Sequence, residues 1–232
     1  MGPKQFVSFV KPICDIRRSR TTHSNPKTLN NVAERPLRVQ QPTGHSPLAD
    51  SPLLFMNHSD HVTLLRDGIP EPGGVWAELG SGNGAFTLAL AELLGPAAHI
   101  YSVDKKKNRL RRQEREVRER FPGTRLETIT ADYTRPLNLP PLDGLVMANA
   151  LHFQHHKDGV LQLIYNYLRP GGRLILIEYN VDRGNFWVRH PLSYPTWERL
   201  AARNGFVGTR LLQTRPSSFL REIYSAVSRV VK

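Results

Sequence analysis

The sequence predicts an α/β fold with a mostly parallel sheet wound by helices, and three observations carry that expectation. Short apolar strands alternate with helical patterns from residue 56 onward, the glycine-rich turn "GSGNG" at 80–84 joins a strand to a helix, and acids stand at the ends of successive strands.

The fold is expected to start near Met56. In "NHSDHVTLLRDG", Ser59 is the expected cap of a short helix over 59–66 carrying Val62, Leu64 and Leu65, with Gly68 as its stop. "GVWAEL" reads as the first strand, and "AFTLALAELLG" as a helix that ends at Gly95. "HIYSVD" is the second strand, 106–121 a charged helix, "RLETITA" the third strand and "LDGLVMANA" the fourth. "KDGVLQLIYNYL" makes a helix, "GRLILIEY" the fifth strand and "TWERLAARNG" the last helix. "VGTRLLQT" and "REIYSAVSRV" then pair as an antiparallel hairpin around Pro216, Ser217 and Ser218.

The 232 residues, 39% hydrophobic, suit one core plus an appendage. Residues 1–55 read as a disordered tail, because prolines recur and apolar residues lack any period. Met56 stands so close to this boundary that translation starting there is an expectation for native material. The tail holds eight Lys and Arg against three acids, a surplus of five that leaves seven of the net +12 to the remainder. The single cysteine, Cys14, lies in the tail, which excludes a disulfide framework and a cysteine-rich metal site. No apolar run approaches the roughly 20 residues that cross a bilayer, so a cytoplasmic protein without a membrane span is expected.

A strand that runs into glycines and then a helix presents backbone N–H groups and leaves room for a ligand against the main chain. Gly80, Gly82 and Ala85 satisfy the dinucleotide fingerprint, so an NAD-dependent oxidoreductase is one reading. Glu78 disfavours it, because a carboxylate two residues before the first glycine repels a diphosphate and suits an amine or a sulfonium. Asp104 ends the second strand, about twenty residues past the glycines, where a carboxylate accepts from ribose hydroxyls. Asp132 ends the third strand in "TADYT", where it can accept from an adenine amino group. Three such acids describe an adenosine joined to a cation.

Through "ELGSGNG", "YSVD", "TAD", "LDGLVMANALHF" and "LRPGGRLILIEY", the chain over 56–231 resembles the class I S-adenosylmethionine-dependent methyltransferases of type 11/12, and among them the quinone-biosynthesis enzymes. The resemblance implies a Rossmann-like seven-stranded sheet of order 3-2-1-4-5-7-6 with the last strand antiparallel and S-adenosyl-L-methionine as co-substrate. It also implies that Glu78, Gly80, Ser81, Gly82 and Gly84 contact the methionine part. Asp104, with Lys105 beside it, corresponds to the ribose acid, and Asp132 with Tyr133 to the adenine edge. Asn149, Ala150 and Leu151 correspond to the end of strand four, facing the transferable methyl. The family often carries aspartate where Glu78 stands, a departure that changes reach.

Methyl transfer needs alignment and exclusion of water, and needs a base only when the acceptor must lose a proton. His152, in "LHFQHHKD" after strand four, is the candidate base, with Asn149 as a second catalytic candidate; the alternative is a histidine that caps the next helix or lines the pocket. His152, His155 and His156 lack a spaced carboxylate to complete a metal set, so no metal is expected. Methylation at carbon 5 of a pyrimidine calls for a cysteine, which 56–232 lack, and "NALHF" is not the Asn/Asp-Pro-Pro-aromatic run common in enzymes acting on base nitrogens.

The stretch "KKKNRLRRQEREVRERF" at 105–121 has nine Lys and Arg beside three Glu, but Leu110, Val117 and Phe121 make a narrow apolar stripe, so the charges of this helix face water. The long segment after strand five holds Phe186, Trp187, His190, Tyr194 and Trp197, which either form a lid over a planar or apolar acceptor or pack the loop down. The sequence thus points to in-line methyl transfer to a small-molecule acceptor, with RNA or protein as the alternative acceptor.

Overall fold

Asn57, not Ser59, opens the first helix. The computed structural model describes residues 56–232; the expectations for the tail over 1–55 lie outside the described residues. Helix α1 (His58–Arg66) begins in a capping box in which the Asn57 side chain accepts from the Asp60 N–H and the Asp60 carboxylate accepts from the Asn57 N–H. That reciprocal pair needs the three-residue spacing Asn57 and Asp60 supply, and it leaves Ser59 inside the first turn.

Strand β1 (Gly74–Leu79) leads through the glycine turn into α2 (Ala85–Leu94). There follow β2 (Ala98–Asp104), α3 (Lys107–Arg120), β3 (Arg125–Thr130) and β4 (Leu142–Ala148). A 3-10 turn at Leu151–Phe153 precedes α4 (Asp158–Tyr167), β5 (Leu168–Tyr179), α5 (Tyr194–Arg203), β6 (Phe206–Pro216) and β7 (Glu222–Val230). The seven strands form one sheet in the order β3-β2-β1-β4-β5-β7-β6, with β7 antiparallel to both its neighbours. This is the order the family resemblance implies, and β1 and β4 adjoin where the order reverses.

Period-two alternation sends side chains to two separate cores. Ala77, Leu79, Met147, Leu176 and Ala226 pack with α4 and α5 around the buried Trp197. Trp76, Ile100, Val146, Ile177 and Val227 pack on the opposite face with α1 and α2. Helix α3 buries Leu110, Gln113 and Val117, so its expected apolar stripe holds, with a glutamine in its middle. Among the described residues, no helix is long and apolar enough to cross a membrane.

Candidate active site

Three glycines make the turn after β1 possible. Gly80, Gly82 and Gly84 all adopt positive φ, at 74°, 55° and 85°. A Cβ on Gly80 would stand 2.8 Å from that of Ala150, and one on Gly84 would meet Gln113 Cγ at 2.4 Å. The chain thereby doubles back at the carboxyl edge of the sheet, beside the end of β4.

The turn departs from its expected chemistry in one respect: its N–H groups are largely spent within the protein. Gly80 and Ser81 both donate to Val103 O at 2.8 and 3.0 Å, Gly84 donates to Ser81 O at 2.9 Å, and Gly82 donates to Asp104 Oδ2 at 3.0 Å. A diphosphate needs such groups free.

Alternation along β1 places Glu78 on the same face as Trp76, beneath α2, where it is buried and receives the Thr87 hydroxyl. Burial pushes its carboxyl up to about 8, against the pull of that hydrogen bond. A polar cluster extends from there. Ser102 Oγ lies 2.7 Å from both Ser81 Oγ and Gln113 Oε1, and Gln113 Nε2 donates to Gly82 O at 2.7 Å and to Ser81 Oγ at 3.0 Å. Gln113, from the middle of the most charged helix, therefore holds the turn from below.

A cavity of about 640 Å³ opens over this turn, within the range of small-ligand sites. Glu78, Gly80, Ser81, Gly82, Asp104, Lys105, Tyr133, Asn149 and Ala150 line it, which brings most of the sequence-predicted residues together. Gly84, Asp132 and Leu151, expected at the site, do not line it. Asp132 takes Lys105 Nζ at 2.9 Å and both the N–H and the hydroxyl of Thr134; burial opposes its charge, but these contacts prevail and hold its carboxyl down to about 2. Asp104 accepts from Lys106 N at 2.8 Å as well as from Gly82. Tyr133 donates to Ala150 O at 2.8 Å and ties the loop after β3 to the loop after β4.

The cavity also takes Met56, His61, Asn83, Phe86, Arg109, Phe153 and Gln154, which the sequence did not mark. Met56 and His61 bring α1 to its rim, where the His61 ring stands edge-on to Phe86 with centroids 4.8 Å apart. Of these residues, Met56 and His61 arrive with α1, which lies outside every glycine and acid motif.

His152 does not line this cavity. It is buried, with Nδ1 2.9 Å from Glu178 Oε2, while its own backbone N–H donates to Glu178 Oε1 at 3.0 Å. Glu178, near the end of β5, is fully buried on the α4/α5 face, opposite to that of Glu78. Its carboxylate makes Nδ1 the donor and leaves the lone pair on Nε2. His155 and His156 pair with each other at 3.1 Å, and among the described residues no group of three His, Cys, Asp or Glu could hold a metal ion. Asn149 has a left-handed φ of 48°, and its Oδ1 is buried without a hydrogen-bond partner among the described residues.

The sheet order, with the glycine turn at its reversal, is that of the Rossmann-like methyltransferase fold. The chain belongs to the family described as a methyltransferase domain, whose model matches residues 71–203.

Among curated proteins, a demethylmenaquinone methyltransferase of Geobacillus sp. (strain WCH70) is 29% identical over 101 residues, 42% of this chain and 42% of that protein. An arsenite methyltransferase of Aquipseudomonas alcaligenes is 28% identical over 161 residues, 61% of this chain and 46% of that protein. The chain thus spans less than half the length of these relatives. Among solved structures, the Burkholderia thailandensis 1,6-didemethyltoxoflavin-N1-methyltransferase, with its acceptor and S-adenosylhomocysteine bound, superposes with a TM-score of 0.59 at 19% identity. That match covers 75% of this chain and 78% of the other and carries the fold alone.

Proposed function

We propose that this chain holds S-adenosylmethionine in the cavity over the glycine turn and passes its methyl group in line to a small-molecule acceptor. The observation that carries the reading is Glu78: a buried carboxyl beside a turn whose N–H groups are already spent suits a cation and offers a diphosphate little. Glu78 faces the ammonium of the methionine part, and Asp104, pre-set by two backbone N–H groups, accepts from the ribose. Tyr133 flanks the adenine, with Asp132 held behind it by Lys105. The donor's sulfonium supplies the leaving group, so the chain's own task is to align the acceptor, exclude water and accept a proton where one is lost.

Asn149 meets the methyl end; His152, buried outside the cavity with Nδ1 committed to Glu178, takes a proton only from an acceptor that opens the loop after β4 to reach its ring. The acceptor named for the arsenite relative suits this chain poorly. Trivalent arsenic is a soft centre that seeks thiolates, and residues 56–232 contain no cysteine. Among the described residues little is added to the sheet and its helices for gripping a macromolecule, which favours a small acceptor over RNA or protein.

Titration calorimetry with adenosylmethionine, adenosylhomocysteine and NAD tests the donor before any acceptor is chosen. The first two should bind and NAD should not; binding of NAD alone would overturn the reading.

A further inference from the structure

The loop between β5 and α5 displays two large aromatic side chains that no part of the described protein uses. Phe186 and Trp187 are 77% and 70% exposed. They stand at the tip of a closed turn: Asn185 N donates to Val188 O at 2.8 Å, and Asn185 Oδ1 accepts from the N–H groups of Trp187 and Val188 at 2.9 and 2.8 Å. Such tips ordinarily take small polar residues, glycine or proline. Val188, buried, fastens the turn to the body. Neither aromatic lines the cavity over the glycine turn.

Charge identifies the occupant. Arg183 and Arg189 flank the turn, both exposed, and neither has an acidic partner within 4 Å among the described residues. A second copy of this chain would bring the same two arginines to the contact, which disfavours self-association through this face. Stacked nucleobases need open ring faces, whereas Phe186 and Trp187 stand edge-to-face at 88°, so each ring pair offers no parallel platform. An apolar tip between cations matches the boundary layer of an anionic bilayer, where Trp sits at headgroup level and Arg meets phosphate.

We infer that the turn at 185–188 anchors the protein to anionic membrane surfaces, Phe186 and Trp187 entering the headgroup boundary while Arg183 and Arg189 hold lipid phosphates. The anchor lies close to the chemistry in the fold. His190 N donates to His152 O at 3.0 Å, which ties this loop to the one after β4 that borders the cavity. Docking there brings the cavity to the bilayer, where an apolar acceptor would be found. The inference goes beyond the reading of the site, because vesicle binding is measured with neither donor nor acceptor present.

The full chain carries its own probe, since Trp76 and Trp197 are 3% and 0% exposed and leave Trp187 as the solvent-facing indole. Vesicles containing phosphatidylglycerol should shift its emission to the blue and protect it from acrylamide, and phosphatidylcholine vesicles should do far less. Phe186→Ser with Trp187→Ser should lower co-sedimentation at least about tenfold while adenosylhomocysteine binding persists, the latter showing that the variant is folded. Arg183→Glu with Arg189→Glu should abolish the preference for anionic lipid. The inference fails if the full chain does not sediment with anionic vesicles, or if the double serine variant sediments as the parent does. It fails equally if the emission shift follows protein concentration in lipid-free buffer, or if single-stranded RNA produces the shift and vesicles do not.

Discussion

His152 presents two donors to one carboxylate: its ring Nδ1 lies 2.9 Å from Glu178 Oε2, and its backbone N–H lies 3.0 Å from Oε1. The pair joins the loop after β4 to the end of β5, so it holds the imidazole both in place and in one tautomer. Glu178 acts as a positioning residue under this reading. His152→Gln should lower turnover about 10²-fold or more for an acceptor that loses a proton, with little change for a neutral amine. Glu178→Gln should lower turnover less, through kcat with KM for the acceptor nearly unchanged. Adenosylhomocysteine affinity should stay constant in both variants. Equal losses with both acceptor types would assign the pair to structure instead.

Glu78 makes donor binding depend on pH. With its carboxyl at about 8 in place of the ordinary 4.5, the unliganded site carries a proton at neutral pH that a bound ammonium must displace. Between pH 6 and 7, where an α-amine stays protonated, adenosylhomocysteine affinity should rise about tenfold, with a proton released on binding. Calorimetry in buffers of different ionisation enthalpy reads that proton directly, and Glu78→Gln should remove both effects.

The same group sets a slope of stability in the unliganded protein. Its folded pKa lies above the unfolded one, so its stabilising contribution is whole below pH 4.5 and is lost as the pH rises through about 8. Each unit of that shift corresponds to about 1.4 kcal/mol. Thermal melts should therefore show Glu78→Gln gaining on the parent as pH rises from 5 to 8, and a constant difference would count against the buried carboxyl.

Gln113 explains why the turn is rigid before anything binds. It joins Ser81, Ser102 and the Gly82 carbonyl, all of which lose a partner together in Gln113→Ala. The expected cost is about 1–3 kcal/mol of stability, read by denaturant unfolding, with a weaker hold on adenosylhomocysteine. An exposed control on the same helix, Arg111→Ala, should change neither.

Alternation, glycines and strand-end acids were legible because each is a local signal: Trp76 and Glu78 share a face by period two, and Asp104 ends its strand wherever the strand goes. The pairings were not. Glu178 sits inside "LILIEY", where it reads as one polar residue in a buried strand, and only the adjacency of β4 and β5 brings His152, twenty-six residues earlier, against it. Gln113 was hidden by composition, since a helix rich in Arg and Glu reads as solvated and its one buried polar side chain leaves no mark. The capping box of α1 was readable in principle, because Asn57 and Asp60 have the required spacing, but Ser59 is as good a cap by residue type alone. Phe186 and Trp187 fit a lid and a packed loop equally well in the sequence; in the structure they are not packed down, and they lie outside the cavity lining.

Asn149 holds a conformation that costs an L-residue energy, and it does so where its amide oxygen is buried without a partner among the described residues. The unmet acceptor, on a residue of the cavity wall, is satisfied once the amide turns toward positive charge on the donor, while the strained backbone holds Asn149 in place. Adenosylmethionine carries that charge at sulfur and adenosylhomocysteine does not, so the ratio of their affinities isolates the contact. Asn149→Gly relieves the backbone and removes the oxygen: it should keep the melting temperature, weaken adenosylmethionine by about tenfold, and leave adenosylhomocysteine nearly unchanged. Asn149→Ala keeps the strain without the amide and should add about 1–2 kcal/mol of destabilisation to the same change in ratio. If both ligands weaken equally in the glycine variant, the amide serves the shape of the loop, and the sulfonium must find its counter-charge elsewhere along the sheet edge.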